Sequence, residues 1–369
     1  MGTFVLMELC KQSGVKNVIY QLLAPNITIN LDEVEENRSY AVVIDKGIRY
    51  CLTGNPGIYD EEAPYVLLTD RTPTKQKLID NDIRQRKWIK HPNQIEASPD
   101  DVIKSWENRF HFKLEENEEN PGLRRPQLGA LHALLSHMLA PKEAATVVLP
   151  TGTGKTETML SALVAGRCNR VLVTVPTNAL RGQLFNKFKT LGVLKTPKFE
   201  IVDKEALYPI VGMITSAFEG ADQLKSFIEQ CNVVITTMQI IDSAPEEQQN
   251  VYVSSFSNVF VDEAHHIVAT SWRKFSDRFP RHQLVQFTAT PFRNDGQRLD
   301  GKIIFNYPLR QAQKDGYYRT IHFLPVREYG EEAIADKAIA KNAVEKLKND
   351  QKHYQHIMMA RCATKSRAQ

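Results

Sequence analysis

Leu149-Pro150-Thr151-Gly152-Thr153-Gly154-Lys155-Thr156 follows a short apolar run, Thr146 to Leu149, and precedes a helix-length segment that begins around Thr156. A glycine-rich turn between a strand and a helix is the setting in which backbone N–H groups surround phosphates. Gly152 and Gly154 remove the side chains that would block that approach, and the helix N-terminus adds partial positive charge. In such a loop Lys155 reaches the outer phosphates and the Thr156 hydroxyl ligates Mg²⁺. Leu149 stands where the general pattern has glycine, which argues against a generic kinase or GTPase.

A second element answers the first. In Val259-Phe260-Val261-Asp262-Glu263-Ala264-His265-His266 an apolar strand runs directly into two carboxylates. Asp262 at the strand end is placed to hold Mg²⁺, directly or through water. Glu263 is placed to orient and deprotonate an attacking water.

The texture around these segments predicts the fold class. Apolar runs at Thr146 to Leu149, Arg170 to Val175, Val233 to Thr236, Val259 to Val261 and Leu284 to Phe287 read as buried parallel strands. Helix-length segments separate them, which predicts βαβ units and a doubly wound parallel α/β sheet. Leu128, Leu131, Leu134, Leu135 and Met138 recur at helical spacing between Pro126 and Pro141.

Upstream, Tyr40 to Ile44 and Tyr65 to Leu68 are β-like, with turn signals at Asn55-Pro56-Gly57 and Arg71-Thr72-Pro73, which predicts a small α+β accessory domain. The acidic stretch Leu114 to Gly122 reads as a solvated linker or loop. The expected division is therefore 1–120, 121–318 and 319–369. Asp45-Lys46 has the look of a nuclease signature but lacks a companion acid, and Phe110 reads as core more readily than as a base-stacking ring.

Composition excludes more than it selects. With 42% hydrophobic and 24% charged residues over 369 positions, the chain is globular and long enough for two domains or two and a fragment. It contains no run of 18 apolar residues and no secretory signal pattern, so a membrane is not an expected partner. Five scattered cysteines without a C-x-x-C pair read as reduced thiols and predict a cytoplasmic protein. A net charge of +4 is too small to indicate nucleic acid alone.

Taken in order, the segments resemble superfamily 2 helicases of the DEAH-type group, which includes the helicase subunits of restriction enzymes and related phage-defence motors. Leu123-Arg124-Arg125-Pro126-Gln127 resembles the adenine-reading segment, with Gln127 on the base edge and Arg124 nearby. The resemblance implies ATP and Mg²⁺ as ligands, and nucleotide contacts from Arg124, Gln127, Thr151, Gly152, Thr153, Gly154, Lys155, Thr156 and Glu157. It makes Glu263, Lys155 and Asp262 the catalytic set, with Thr156 and Asp262 on the metal. Val175 to Gln183 and Thr236 to Gln239 resemble the backbone-contacting segments, so Thr177, Asn178, Arg181, Thr236 and Thr237 are expected on phosphates. Thr288 and Thr290, in Phe287-Thr288-Ala289-Thr290-Pro291, together with His265 and His266, are expected to couple the nucleotide to the bound strand.

The resemblance implies a RecA-like P-loop NTPase lobe followed by the start of a second RecA-like lobe. Phe292 to Tyr318 resembles the connection. Arg319 to Val326, Glu331 to Lys348, His356 to Ala360 and Thr364 to Arg367 resemble the opening of that second lobe. The segment carrying the arginine finger, worth about 10³ to 10⁵ in rate in related enzymes, is not among these residues. The expectation is weak ATPase and no unwinding by these residues, in a DNA helicase or translocase with a possible nuclease or defence-system partner. The alternative is a nucleotide-controlled binding module with little turnover.

Overall fold

The computed structural model describes residues 2–94, 96–140, 142–264, 276–291, 301–318, 325–326, 332–355 and 357–359. Met1–Tyr317 form one compact unit and Tyr318–Gln369 a second.

Within the first unit, β1 (Thr3–Leu6), β2 (Leu9–Ser13), β3 (Val18–Ala24) and β4 (Ile27–Asn30) lead into β5 (Glu33–Glu36), β6 (Tyr40–Asp45), β7 (Ile48–Thr53), β8 (Tyr65–Thr69), α1 (Lys75–Ile79) and β9 (Gln85–Lys90). Strands β5-β6-β7-β8-β9 form a mixed five-stranded sheet over a core that includes Leu52, Leu67 and Trp88. Lys46 and Gly47 both take positive φ, 51° and 77°, at the two-residue turn where Asp45 pairs with Ile48. Asp45-Lys46 is thus a hairpin turn with the backbone such turns require.

After α2 (Pro99–Ser105), capped by Ser98, come α3 (Arg125–Leu139), β10 (Ala145–Val148), α4 (Lys155–Ala165), β11 (Val171–Val175), α5 (Asn178–Thr190), β12 (Ile210–Met213), α6 (Ala221–Glu229), β13 (Val233–Thr237), α7 (Met238–Ser243), α8 (Glu246–Ser255), β14 (Asn258–Asp262), β15 (Leu284–Thr288), β16 (Lys302–Asn306) and α9 (Leu309–Lys314). Seven strands, ordered β16-β10-β15-β14-β11-β13-β12, run parallel. β11, β13 and β15 are buried along their whole length, because helices cover both faces, and this is why they read as unbroken apolar runs. The expected doubly wound α/β sheet is present, with β12 and β16 added to the five strands legible beforehand.

The sheet does not end at β12. β3 pairs antiparallel with β12 and β2 with β3, so nine strands form one sheet. Tyr20 on β3 packs edge-on against Phe185 of α5, with the Lys189 ammonium 4.6 Å from its ring centroid. The acidic stretch 114–122 is a largely exposed loop, one of the two forms expected, and its ends are tied together: Leu123 N donates to Lys113 O and Glu115 N to Leu123 O, both at 2.8 Å. His111 N donates to Ile201 O at 2.8 Å, which ties the preceding segment to the lobe. These pairings merge the N-terminal layer with the lobe where a boundary was expected at 120.

In the second unit α10 (Glu332–Asp350) occupies the helix-like run expected from Glu331 to Lys348. The expected strand at Arg319 to Val326 lies mostly, and Thr364 to Arg367 wholly, outside the described residues, while at the expected strand His356 to Ala360 the described residues 357–359 take no regular secondary structure.

Candidate nucleotide site

The strand ends build the site. β10, β15 and β14 lie side by side, with Val148 opposite Thr288 and Asp262 opposite Phe287, and Leu149 N donates to Thr288 O at 2.8 Å. The phosphate loop and the acidic strand tip therefore meet at the carboxyl edge of the parallel sheet, where ligands of doubly wound folds bind.

Gly152 and Gly154 adopt φ of 84° and 96°, the left-handed region open to glycine. Gly154 begins α4 without a side-chain cap, so the first-turn N–H groups receive no acceptor from it and remain for an anion. Thr153 is fully buried and its hydroxyl donates to Pro150 O at 2.7 Å, so it braces the loop from inside and does not line the cleft.

Lys155 Nζ lies 2.5 Å from Glu263 Oε1. Asp262 is 6% exposed, and burial pushes its carboxyl up to about 6, with Lys155 pulling it down and Glu263 adding to the rise. Glu263 has φ of 50°, and its N–H donates to Asp262 Oδ1 at 3.0 Å. One cation thus faces two adjoining carboxylates in a cleft of about 500 Å³, which Thr151, Gly152, Thr156 and Glu157 also line.

Residues 120–293 match the family described as type III restriction enzyme, res subunit. That segment is similar to the res subunit of type III restriction enzymes. No curated protein matches the chain. Among solved structures, the ATP-dependent Type ISP restriction-modification enzyme LlaBIII bound to DNA is 19% identical, covering 52% of this chain and 16% of that one, with a TM-score of 0.35. A nuclease-deletion mutant of the Type ISP enzyme LlaGI with a DNA substrate mimic is 20% identical, covering 62% and 22%, with a TM-score of 0.39. The UvsW helicase from bacteriophage T4 is 15% identical, covering 53% and 62%, with a TM-score of 0.32. The chain therefore spans about a sixth to a fifth of the two restriction enzymes it matches. No helix among the described residues is long and apolar enough to cross a membrane.

Within this segment the expected contacts divide. Arg124 and Gln127 do reach the cleft, yet they are bound to the loop itself. Arg124 Nη1 donates to Gly152 O at 2.9 Å and its guanidinium lies 5.3 Å from the Tyr317 ring centroid. Gln127 Oε1 accepts from Arg124 N at 2.7 Å, and its Nε2 approaches Gly154 O at 3.4 Å, so both ends of the amide are engaged within the protein. Thr177 and Asn178 stand exposed at the start of α5, with the Thr177 hydroxyl accepting from Leu180 N.

Arg181 departs from expectation. It is 9% exposed, its Nε and Nη1 have no hydrogen-bond partner among the described residues, and burial lowers its pKa. Thr236 is likewise buried, its hydroxyl donating to Ile214 O at 3.2 Å, and Thr237 is 6% exposed. Thr236 lies within a strand covered on two faces, so its hydroxyl is turned into the protein, and Thr237 stands at the strand end as the N-cap of α7. The buried Thr288 hydroxyl donates to Thr290 O at 2.7 Å, which places this pair beside the phosphate loop through the Leu149 bond. His265 and His266 lie outside the described residues.

Sequence reading missed one wall of the cleft altogether. Leu184, Lys187, Leu194, Phe199 and Ile201 line it, with Lys187 paired to Glu157 at 3.0 Å. They come from α5 and an irregular segment after it, where no periodicity or motif marks them.

Proposed function

We propose that the first unit is the ATP-binding lobe of a nucleic-acid motor that couples hydrolysis to movement along a strand. The observation that carries this reading is the convergence of Lys155, Asp262 and Glu263 beside an uncapped helix N-terminus. The donor set fits magnesium triphosphate: one hydroxyl and one carboxylate are hard oxygen ligands of the kind Mg²⁺ takes when phosphate oxygens and water supply the rest. Thr156 and Asp262 would hold the ion, whose role when bound is to neutralise charge developing on the phosphates.

Lys155 leaves Glu263 for the phosphates, and the freed carboxylate accepts the proton of the attacking water. DNA is favoured over RNA because the matched family is that of restriction enzymes. The same resemblance favours a nuclease or defence partner and a cytoplasmic site of action. The exposed Thr177 and Asn178 at the start of α5 are the backbone contacts this reading retains.

The test is equilibrium binding of ATP with magnesium to the whole chain. Binding that falls by about 100-fold in Lys155→Ala supports the reading. No binding by the folded chain, or equal binding by the variant, would sink it.

A further inference from the structure

The chemistry above uses Lys155, Asp262 and Glu263, but two further charged side chains of the lining face each other unused, Glu157 and Lys187. Glu157 directly follows Thr156 and is the acid of the first turn of α4. An acid is favoured at an uncapped helix N-terminus for the same reason that a phosphate is. The carboxylate and an incoming polyphosphate therefore compete for one region of positive potential. A carboxylate has no hydrogen to donate to a phosphate oxygen, so at this position it opposes the ligand instead of holding it.

The rest of the lining sharpens the conflict. It holds three cations, Arg124, Lys155 and Lys187, against four acids, Glu115, Glu157, Asp262 and Glu263. Asp262 and Glu263 are reserved for the metal and the attacking water, and Arg124 is bound to the Gly152 carbonyl. Lys187 is the group that answers Glu157. From the third turn of α5 it reaches across to α4, where its Nζ donates to Glu157 Oε1 at 3.0 Å.

The route of this lysine belongs to the packing of the two helices. A Cβ built on Gly192 would stand 3.7 Å from Lys187 Cδ and 3.0 Å from Leu160 Cδ1 of α4, so the glycine leaves room where the lysine stem passes. Gly192 N donates to Lys187 O at 2.9 Å, which fixes the turn at the end of α5 against the residue that carries the charge.

We propose that Lys187 is a positioning residue of the phosphate site, which cancels the charge of Glu157 so that a polyphosphate meets the N-terminus of α4 unopposed. Lys187 acts through Glu157 and touches no phosphate itself. The proposal rests on the nucleotide reading above.

Its test is calorimetric binding of magnesium tripolyphosphate to the whole chain, unaltered and as Lys187→Met, Lys187→Arg, Glu157→Gln and the double variant Lys187→Met with Glu157→Gln. At low ionic strength Lys187→Met is expected to weaken binding by roughly tenfold, the scale of one uncompensated charge a few ångströms from the ligand. Lys187→Arg keeps the charge and is expected to keep the affinity. In the double variant the opposing carboxylate is gone, so affinity is expected to return to that of Glu157→Gln alone. Near 1 M salt, where the Debye length is about 3 Å, the unaltered chain and Lys187→Met are expected to converge, which a loss of packing would not produce.

Three results would each overturn the assignment while leaving the phosphate site standing: unchanged affinity in Lys187→Met, a loss that persists at high salt, or a double variant as weak as Lys187→Met, which would mean that the lysine grips the phosphates directly. Failure of the unaltered chain to bind tripolyphosphate at all would overturn the nucleotide reading, and this inference with it.

Discussion

Lys155 and Glu263, 108 residues apart in sequence, share a charge-assisted hydrogen bond of 2.5 Å in a pocket that leaves their side chains 9% and 15% exposed. Each is the other's counter-ion, and each is wanted elsewhere when a triphosphate arrives. Glu263→Gln should therefore do two things. Hydrolysis falls by at least about 100-fold, because the proton acceptor is gone. MgATP affinity holds or rises several-fold, because the lysine no longer leaves an ion pair to meet the phosphates. Single-turnover hydrolysis and calorimetric titration of the same sample measure the two effects, and a variant that hydrolyses ATP normally would remove Glu263 from its role.

Gly154 sits at φ of 96°, and a Cβ built there would stand 1.8 Å from Gln127 Nε2. Gly154→Ala meets both a backbone penalty and a collision, and should cost about 2 kcal/mol of stability or more. Gln127→Ala in that background relieves the collision alone. A double-mutant cycle by chemical denaturation should show coupling of about 1 kcal/mol between the two sites; additive losses would mean that the side chain swings clear without cost.

Burial lowers the Lys195 ammonium to about 8, against the weaker upward pull of Glu205. Its Nζ donates to the Ala206 carbonyl and lies 3.9 Å from the Tyr208 ring centroid. Because the folded pKa is depressed, the unfolded chain holds this proton more tightly, so the residue's contribution grows more stabilising as pH rises from about 8 towards the ordinary lysine range. The expected gain is on the order of 1–2 kcal/mol once solvent screening is allowed for. Comparing stability at pH 7.5 and 10 in the unaltered chain and Lys195→Met isolates it: equal differences in both proteins would refute the assignment.

Tyr20 is 4% exposed, donates to Glu8 Oε1 at 2.5 Å, and touches Phe185 and Lys189 on α5. Truncation to alanine should destabilise the first unit by about 3 kcal/mol. It should also speed amide exchange in α5 more than in α3, since the loss falls on one helix. Uniform exchange across both helices would show that the contact does not anchor α5.

Much of the lobe could be read beforehand because parallel strands buried on two faces need unbroken apolar runs, and Val171–Val175, Val233–Thr237 and Leu284–Thr288 supply them. The phosphate loop and the acids at Asp262 and Glu263 were legible for a similar reason: their chemistry demands certain residue types at fixed spacing next to a strand. Strand β12, Ile210–Met213, contains Gly212 and is four residues long, too brief for a pattern to stand out. Arg181 and Thr236 show the limit of motif transfer, since spacing located their elements but the burial of each side chain depends on what packs above it. The Phe199 wall depends on pairings between segments about 90 residues apart, such as His111 with Ile201, which no local window contains.

The antiparallel bond of β3 to β12 has a mechanical consequence. A tethered module can swing on its linker; a strand woven into its neighbour's sheet cannot. Whatever displacement a nucleotide cycle imposes on the lobe is passed rigidly to the N-terminal layer, so any cargo fastened there is hauled in step with it.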